Sequence, residues 1–206
     1  MSVRAVGVIV LAAGASRRMG EPKQLLRYGG ESLLRRAVQA ALGSRCRPVV
    51  VVLGARAEAL GGEAAGAQVA VNEEWAEGMS SSIRCGLRAL DAATSGQVDA
   101  AILTLCDQPF VTSEVIERLV AAYEEERPAL VASRYESGGE LTTGVPALFS
   151  RELFAELMGL RGAQGAKRVI MWHASEATVV SVPEASFDVD TPEDYRVLQR
   201  GAADVE

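Results

Sequence analysis

The chain has 206 residues, 49% of them hydrophobic and 23% charged, enough for one α/β domain with a sizeable core. Its net charge of −6 disfavours a general nucleic-acid binder, which carries a basic excess. No apolar run approaches the length of a membrane span, so no membrane partner is expected. Only Met1 to Ala5 precede the first apolar run, from which no signal segment and a cytoplasmic location are expected. Cys46, Cys85 and Cys106 are scattered and form no C-x-x-C, which argues against a disulfide scaffold or zinc site. All three are expected to be buried apolar thiols.

In chain order, strand-like and helix-like segments alternate. Residues 4–11 read as a buried strand. Residues 32–42 place Leu33, Leu34, Ala37, Val38, Ala41 and Leu42 on one helical face. Residues 48–53 are a second buried strand, followed by alanine- and glutamate-rich helix interrupted by Gly61, Gly62 and Gly66. A short strand at 67–71 and a helix over 80–90 come next. The strand at 99–105 leads to a helix capped by Ser113 and carrying Val115, Ile116, Leu119, Val120 and Tyr123 on one face. Strands at 129–133 and 145–149 are joined by a polar loop. Helices near 151–158 and 164–172 precede a strand at 177–182, and a last helix starts after Pro192 with Thr191 as its cap. His173, the one histidine, falls at a helix end, where a capping or surface role is expected. Residues 1–200 make one domain and 201–206 a frayed tail. Repeated β-α-β units with uninterrupted strands imply a mostly parallel, doubly wound sheet, whose ligands sit beyond the carboxyl ends of the strands.

Three strand ends carry chemistry. After the first strand come Leu11, Ala12, Ala13, Gly14, Ala15 and Ser16, then Arg17, Arg18, Lys23 and Arg27, with Glu21 the one acid among them. Small residues let backbone N–H groups approach an anion, and the cations could grip phosphate oxygens. Neither G-x-x-x-x-G-K-[ST] nor G-x-G-x-x-G is present, which sets aside the Walker loop and an NAD-dependent oxidoreductase. At the second end, Asp107 follows an apolar strand. It could hold Mg²⁺ or merely bond nearby backbone, and the residue alone leaves both open. At the third, Asp188 and Asp190 are expected on opposite sides of an extended segment, so that at most one serves a given site. Glu193 and Asp194 suit a first helical turn. Residues 72–87 add Asn72, Trp75, Gly78 and three serines at a helix start, where donors could meet a nucleotide. Trp75 suits core or ligand wall equally.

Together these residues resemble the nucleotidyltransferases of the molybdenum-cofactor type, most closely the molybdenum cofactor cytidylyltransferases. The family's L-A-A-G-x-S-x-R-M-G-x-x-K-x-L-L is matched from Leu11 to Leu26. Its N-x-x-W-x-x-G-x-x-x-S-x-x-x-G is matched by Asn72, Trp75, Gly78, Ser82 and Gly86. D-Q-P is Asp107, Gln108 and Pro109, and D-x-D-T-P-E-D runs from Asp188 to Asp194.

The resemblance implies a single-domain three-layer α/β/α fold, Rossmann-like and of the nucleotidyltransferase (glycosyltransferase-A-like) type. It implies transfer of CMP from CTP to the phosphate of the molybdenum-bound pterin cofactor, with release of pyrophosphate. A molybdenum hydroxylase apoenzyme is the implied recipient of the product. Arg18, Lys23 and Asp107 are the implied catalytic residues. Leu11, Ala12, Ala13, Gly14, Ser16, Arg18, Lys23, Asn72, Gly78 and Ser82 would bind the nucleotide. Asp107 and Asp190 would hold Mg²⁺, with Mn²⁺ as the alternative. Gln108, Pro109, Gly144, Pro146 and Gly165 would meet the acceptor. Guanylyl relatives carry L-A-G-G, so Ala13 favours CTP, its methyl crowding the space of a purine.

The family's late G-D-x-G-A-R reads Gly162-Ala163-Gln164-Gly165-Ala166-Lys167 here, with Ala163 in place of the Asp. That departure leaves another phosphorylated acceptor, such as a sugar phosphate, as the alternative substrate. A non-catalytic accessory protein for molybdenum hydroxylase maturation is the alternative role. Residues 135–149 are expected to form a mobile glycine-rich loop lining the acceptor site.

Overall fold

The computed structural model describes residues 5–203, apart from the side chains of Ala202 and Ala203. Arg4, counted in the first strand, and residues 204–206 of the tail lie outside them.

The first strand, β1 (Val6–Ala12), is buried along its whole length. A 3₁₀ turn (Lys23–Leu25) and a two-residue ribbon of β2 (Arg27–Tyr28) and β3 (Glu31–Ser32), absent from the expectations, lead into α1 (Leu33–Gly43). Ser32 caps α1 by accepting the Arg35 N–H at 3.0 Å. There follow β4 (Val49–Leu53), the four-residue α2 (Ala57–Leu60) with a 3₁₀ turn to Ala64, β5 (Gln68–Val71) and α3 (Met79–Thr94). Then come β6 (Ala100–Leu105) and α4 (Ser113–Glu126). The cap of α4 is Thr112, not Ser113, which is already helical.

β7 (Leu130–Ser137) and β8 (Glu140–Ser150) are longer than expected. The segment read as a loop is a paired ribbon, with Ser137 opposite Glu140 across Gly138 and Gly139. Both glycines have positive φ, 63° and 83°, as a tight two-residue hairpin turn requires. After α5 (Phe154–Gly159) and α6 (Lys167–Trp172), β9 (Thr178–Ser181) ends the sheet. The last helix, α7 (Pro192–Ala203), continues past residue 200 into the segment expected to fray. Its start is a reciprocal cap: the Asp194 carboxylate accepts the Thr191 N–H at 2.7 Å, and Thr191 Oγ1 accepts the Asp194 N–H at 3.3 Å.

The sheet runs β5-β4-β1-β6-β8-β7-β9. All its neighbours are parallel except β8, which runs antiparallel between β6 and β7. Successive side chains of β1 alternate between two cores. Val8 and Val10 meet α1, α2 and α4 on one face; Ile9 and Leu11 meet α3, α5 and α6 on the other. Large side chains such as Phe149, Ile9 and Leu34 are fully buried, each worth roughly 1.5–3 kcal/mol. This is the expected three-layer α/β/α domain.

The face carrying α3 explains Gly86. A Cβ there would come within 2.5 Å of Ile9 Cγ2 and 3.0 Å of Val52 Cγ2, so the glycine lets α3 lie against the sheet. Its place in the second motif is a packing requirement. No helix among the described residues is long and apolar enough to cross a membrane.

Candidate active site

The carboxyl ends of β1 and β6 and the start of α3 enclose a cavity of about 310 Å³. Leu11, Ala12, Ala13, Gly14, Ser16, Lys23, Gly78, Ser82 and Asp107 all line it, so the first two motifs and the D-Q-P aspartate share one chamber. Trp75 lines it too while packing on the core, which joins its two expected roles.

The loop after β1 is ordered by its carbonyls. The Leu11 carbonyl accepts the Cys106 N–H at 3.3 Å, and that of Ala13 accepts the Ala55 N–H at 3.1 Å. The carbonyls of Ala12 and Gly14 accept from the Gln24 side-chain amide at 3.0 and 2.8 Å. That of Ser16 accepts from Met19 and Gly20. By contrast, the N–H groups of Gly14, Ala15, Ser16 and Arg17 have no partner among the described residues. Ser16 reaches a left-handed conformation (φ 52°) to make the turn. Carbonyls tied back and donors left free, in a wall of the cavity, form a nest for an anion.

At the mouth, Lys23 Nζ bridges Asp107 Oδ2 at 2.5 Å and Asp190 Oδ1 at 2.8 Å. Arg18 Nη2 donates to Asp190 Oδ2 at 2.8 Å. Burial works against the Lys23 ammonium, but the Asp107 carboxylate outweighs it and raises the lysine above its ordinary value. The same opposition, with Lys23 and Arg18 prevailing over burial, lowers Asp190. Cys106 also lines the cavity, and burial pushes its thiol up to about 12, leaving it uncharged.

Several expectations change. Residues two apart in an extended segment share a side, so Asp188 and Asp190 do not face opposite ways. Both lie near Asp107, with Val189 between them buried and donating its N–H to the Asp107 carbonyl at 2.9 Å. Partial burial, then the charge of Asp107, push Asp188 up to about 6. Asn72 does not line the cavity. It is buried, and its amide donates to Ser81 Oγ at 2.8 Å and Ser82 Oγ at 3.1 Å, holding the serines in place. Arg18 stands on the rim, its side chain 70% exposed. Arg27 turns away to the Gly30 carbonyl, so the basic mouth is Arg17, Arg18 and Lys23.

The residues expected to meet an acceptor are mostly packed. Gln108 is buried and donates to the carbonyls of Val145 and Ala185, both at 3.3 Å. Pro146, which has no N–H for the ladder, coincides with a register shift between Ala132 and Ser133; its carbonyl accepts from Ser133 Oγ. Gly144 is buried beneath the Tyr135 hydroxyl. The Pro109 carbonyl accepts from Arg36 at 3.3 Å. Gly165 alone approaches the cavity wall, beside Met79. His173 caps α6 and its ring Nε2 contacts Glu156 at 2.9 Å. Cys85 is only half-buried.

Two links were not foreseen. Gln24 occupies an unspecified position of the first motif, and its buried amide became legible only with the loop folded. Gly78 (φ 129°) sits directly on the Gly162 carbonyl, which also accepts from Ser80 Oγ at 2.8 Å. The late element containing Ala163 therefore abuts the cavity's edge.

The donor set also suits a divalent cation. Asp107 and Asp190 already share one cation, the Lys23 ammonium, and Asp107 Oδ1 is buried without a partner. Oxygen donors of this kind match a hard metal ion. No group of three or more His, Cys, Asp or Glu that could hold a metal occurs among the described residues.

In an open α/β sheet ligands bind beyond the carboxyl ends of the strands, which is where the nest and the two carboxylates stand. The chain belongs to the MobA-like NTP transferase domain family, whose model matches residues 8–178. It is 32% identical to the "Nicotine blue oxidoreductase" of Paenarthrobacter nicotinovorans, over 92% of this chain and 95% of that one. It is 31% identical to the "Purine catabolism protein PucB" of Bacillus subtilis, over 93% and 95%. The structure of Rv0371c from Mycobacterium tuberculosis H37Rv in complex with manganese superposes with a TM-score of 0.78 at 28% identity, covering 95% of this chain and 98% of that one.

Proposed function

We propose that the protein transfers CMP from CTP to the phosphate of the molybdenum-bound pterin cofactor and releases pyrophosphate, acting in the cytoplasm on behalf of a molybdenum hydroxylase. The observation that carries the nucleotidyl-transfer reading is that the loop after β1, with N–H groups that have no partner among the described residues, lines the same cavity as Asp107. The L-A-A-G and D-Q-P motifs favour the cytidylyl branch. The methyl of Ala13 borders the cavity while packing beside Gly54 and Trp75, so its effect on the base passes through that contact as well as through crowding.

A phosphate nucleophile is already ionised near neutral pH, so no general base is needed. The work is alignment and charge neutralisation. The loop N–H groups and Arg17 bind the triphosphate. Lys23, kept cationic by Asp107, stands next to the α-phosphate and neutralises charge as it builds. Arg18, oriented by Asp190, offers its fork to the departing pyrophosphate. Asp107 and Asp190 would hold Mg²⁺, or Mn²⁺ as in the Rv0371c complex; when bound, that ion supplies electrostatic stabilisation of the phosphate oxygens. Ser82, held by Asn72, and Gly78 border the nucleoside. Gly165 and the β7–β8 ribbon would face the acceptor, with Gln108, Pro109, Gly144 and Pro146 shaping that side from beneath.

The test is pyrophosphate release with each NTP, with and without molybdenum-bound pterin. CTP- and pterin-dependent release is expected. Preference for GTP would overturn the base assignment. Turnover with a sugar phosphate in place of the pterin would replace the acceptor, an alternative that Ala163 keeps specific. Nucleotide binding without transfer would make the protein an accessory factor.

A further inference from the structure

We infer that Gln24 is the positioning residue that turns the loop after β1 into an anion site, an inference that rests on reading this cavity as the nucleotide pocket. Gln24 is buried, with 1% of its surface exposed, and stands in the wall of the same cavity. Every polar atom of its amide is used on the loop. Nε2 donates to the Ala12 carbonyl at 3.0 Å and the Gly14 carbonyl at 2.8 Å. Oε1 accepts from Ser16 Oγ at 3.1 Å, and Ser16 Oγ in turn accepts the Lys23 N–H at 3.0 Å.

The physical consequence follows from peptide geometry. A peptide's C=O and N–H point in opposite directions, so pulling the carbonyls of residues 12 and 14 toward Gln24 aims the next N–H groups the other way. The groups so aimed are the N–H of Ala13 and of Ala15; neither has a partner among the described residues, and both residues line the cavity. Without Gln24, the two carbonyls would be free to swing toward the same space. Carbonyl dipoles facing a triphosphate repel it. The Ser16 relay also fixes the backbone of Lys23, so one side chain sets both the nest and the residue that bridges the carboxylates. Gln24 is thus a device for affinity at the triphosphate, with no part in acceptor binding.

The decisive variants are Gln24→Met, which keeps the volume and loses all hydrogen bonds, and Gln24→Glu, which keeps an acceptor for Ser16 and cannot donate when ionised. The expected result is a roughly ten- to hundredfold weaker calorimetric Kd for CTP with Mg²⁺. The KM for CTP should rise in parallel, with kcat largely recovered at saturating CTP and the acceptor KM unchanged. A purely structural role would instead lower melting temperature and impair both substrates alike, and that outcome overturns the inference. So does wild-type CTP affinity in both variants. If the wild-type protein binds none of the four NTPs, the nucleotide reading itself falls, which is a different failure from an unaffected variant. Should neither variant fold, exchange of the Gln24 side-chain amide protons in the wild-type protein decides: slow exchange that slows further on adding CTP is expected, and fast exchange in both states overturns the inference.

Discussion

The two halves of the sheet treat their polar groups in opposite ways. On the β5-β4-β1-β6 side, strand ends leave polar groups available at a cavity: backbone N–H groups without partners among the described residues, a bridging lysine and a carboxylate oxygen without a partner. On the β8-β7-β9 side, the residues singled out from motifs mostly consume their polar groups in packing. Gln108 holds two carbonyls, Pro146 accepts from Ser133, and Gly144 makes room for Tyr135. Shared motif membership therefore covers two different jobs. One set of residues meets a ligand; the other sets the shape of the wall.

The largest break in that contrast should come from Asp107→Ala. If Asp107 stabilises charge in the transition state, pyrophosphate release should fall roughly 10²–10³-fold while circular dichroism stays unchanged. Loss of less than tenfold would remove it from the catalytic set. Next is Gly54→Ala, where a Cβ would meet Trp75 Cβ at 2.6 Å and the Ala13 carbonyl at 2.7 Å. Backbone cannot give way easily, so overpacking should cost about 1–3 kcal/mol, seen as a lower Tm, together with weaker nucleotide binding. An unchanged Tm would mean that the β4 end is looser than its contacts indicate.

A smaller change is expected from Arg18→Ala. Its exposed guanidinium is open to screening, so the rate should drop about tenfold at low salt and less at high salt. A salt-independent loss would require a more enclosed Arg18 in the working complex. The smallest effect should be Gly144→Ala, because the obstructing Tyr135 hydroxyl is the far end of a movable side chain. Stability should change by under about 1 kcal/mol. If the acceptor KM nevertheless rises more than about tenfold with Tm constant, the β7–β8 ribbon contacts the acceptor directly, and the contrast between the halves narrows.

Much of this was legible in the linear chain. Uninterrupted apolar runs mark β1 and β4 because strands buried on both faces leave no polar alternation. Thr191 marks a helix start because its side chain replaces a missing intrahelical partner. The segment from Leu11 to Lys23 and Asp107 point to one mouth because parallel strands bring their carboxyl ends together. The β7–β8 ribbon was harder to see, since its outer arms are polar and paired only with each other. The distinction between ligand-facing and packing residues was also hidden. Asn72, Gly86 and Gln108 recur in motifs, but only long-range neighbours reveal that they hold serines, a helix and two carbonyls.

Sequence alone thus determined the layers, the strand ends and the chemical types gathered there, all of which follow from local periodicity and spacing. Tertiary structure decided which way those groups point. Gln24 illustrates the divide: it looks like any polar residue between a lysine and a leucine. Its meaning depends on two carbonyls ten and twelve residues away, and a hydrogen bond's direction is set only once both ends are fixed in space.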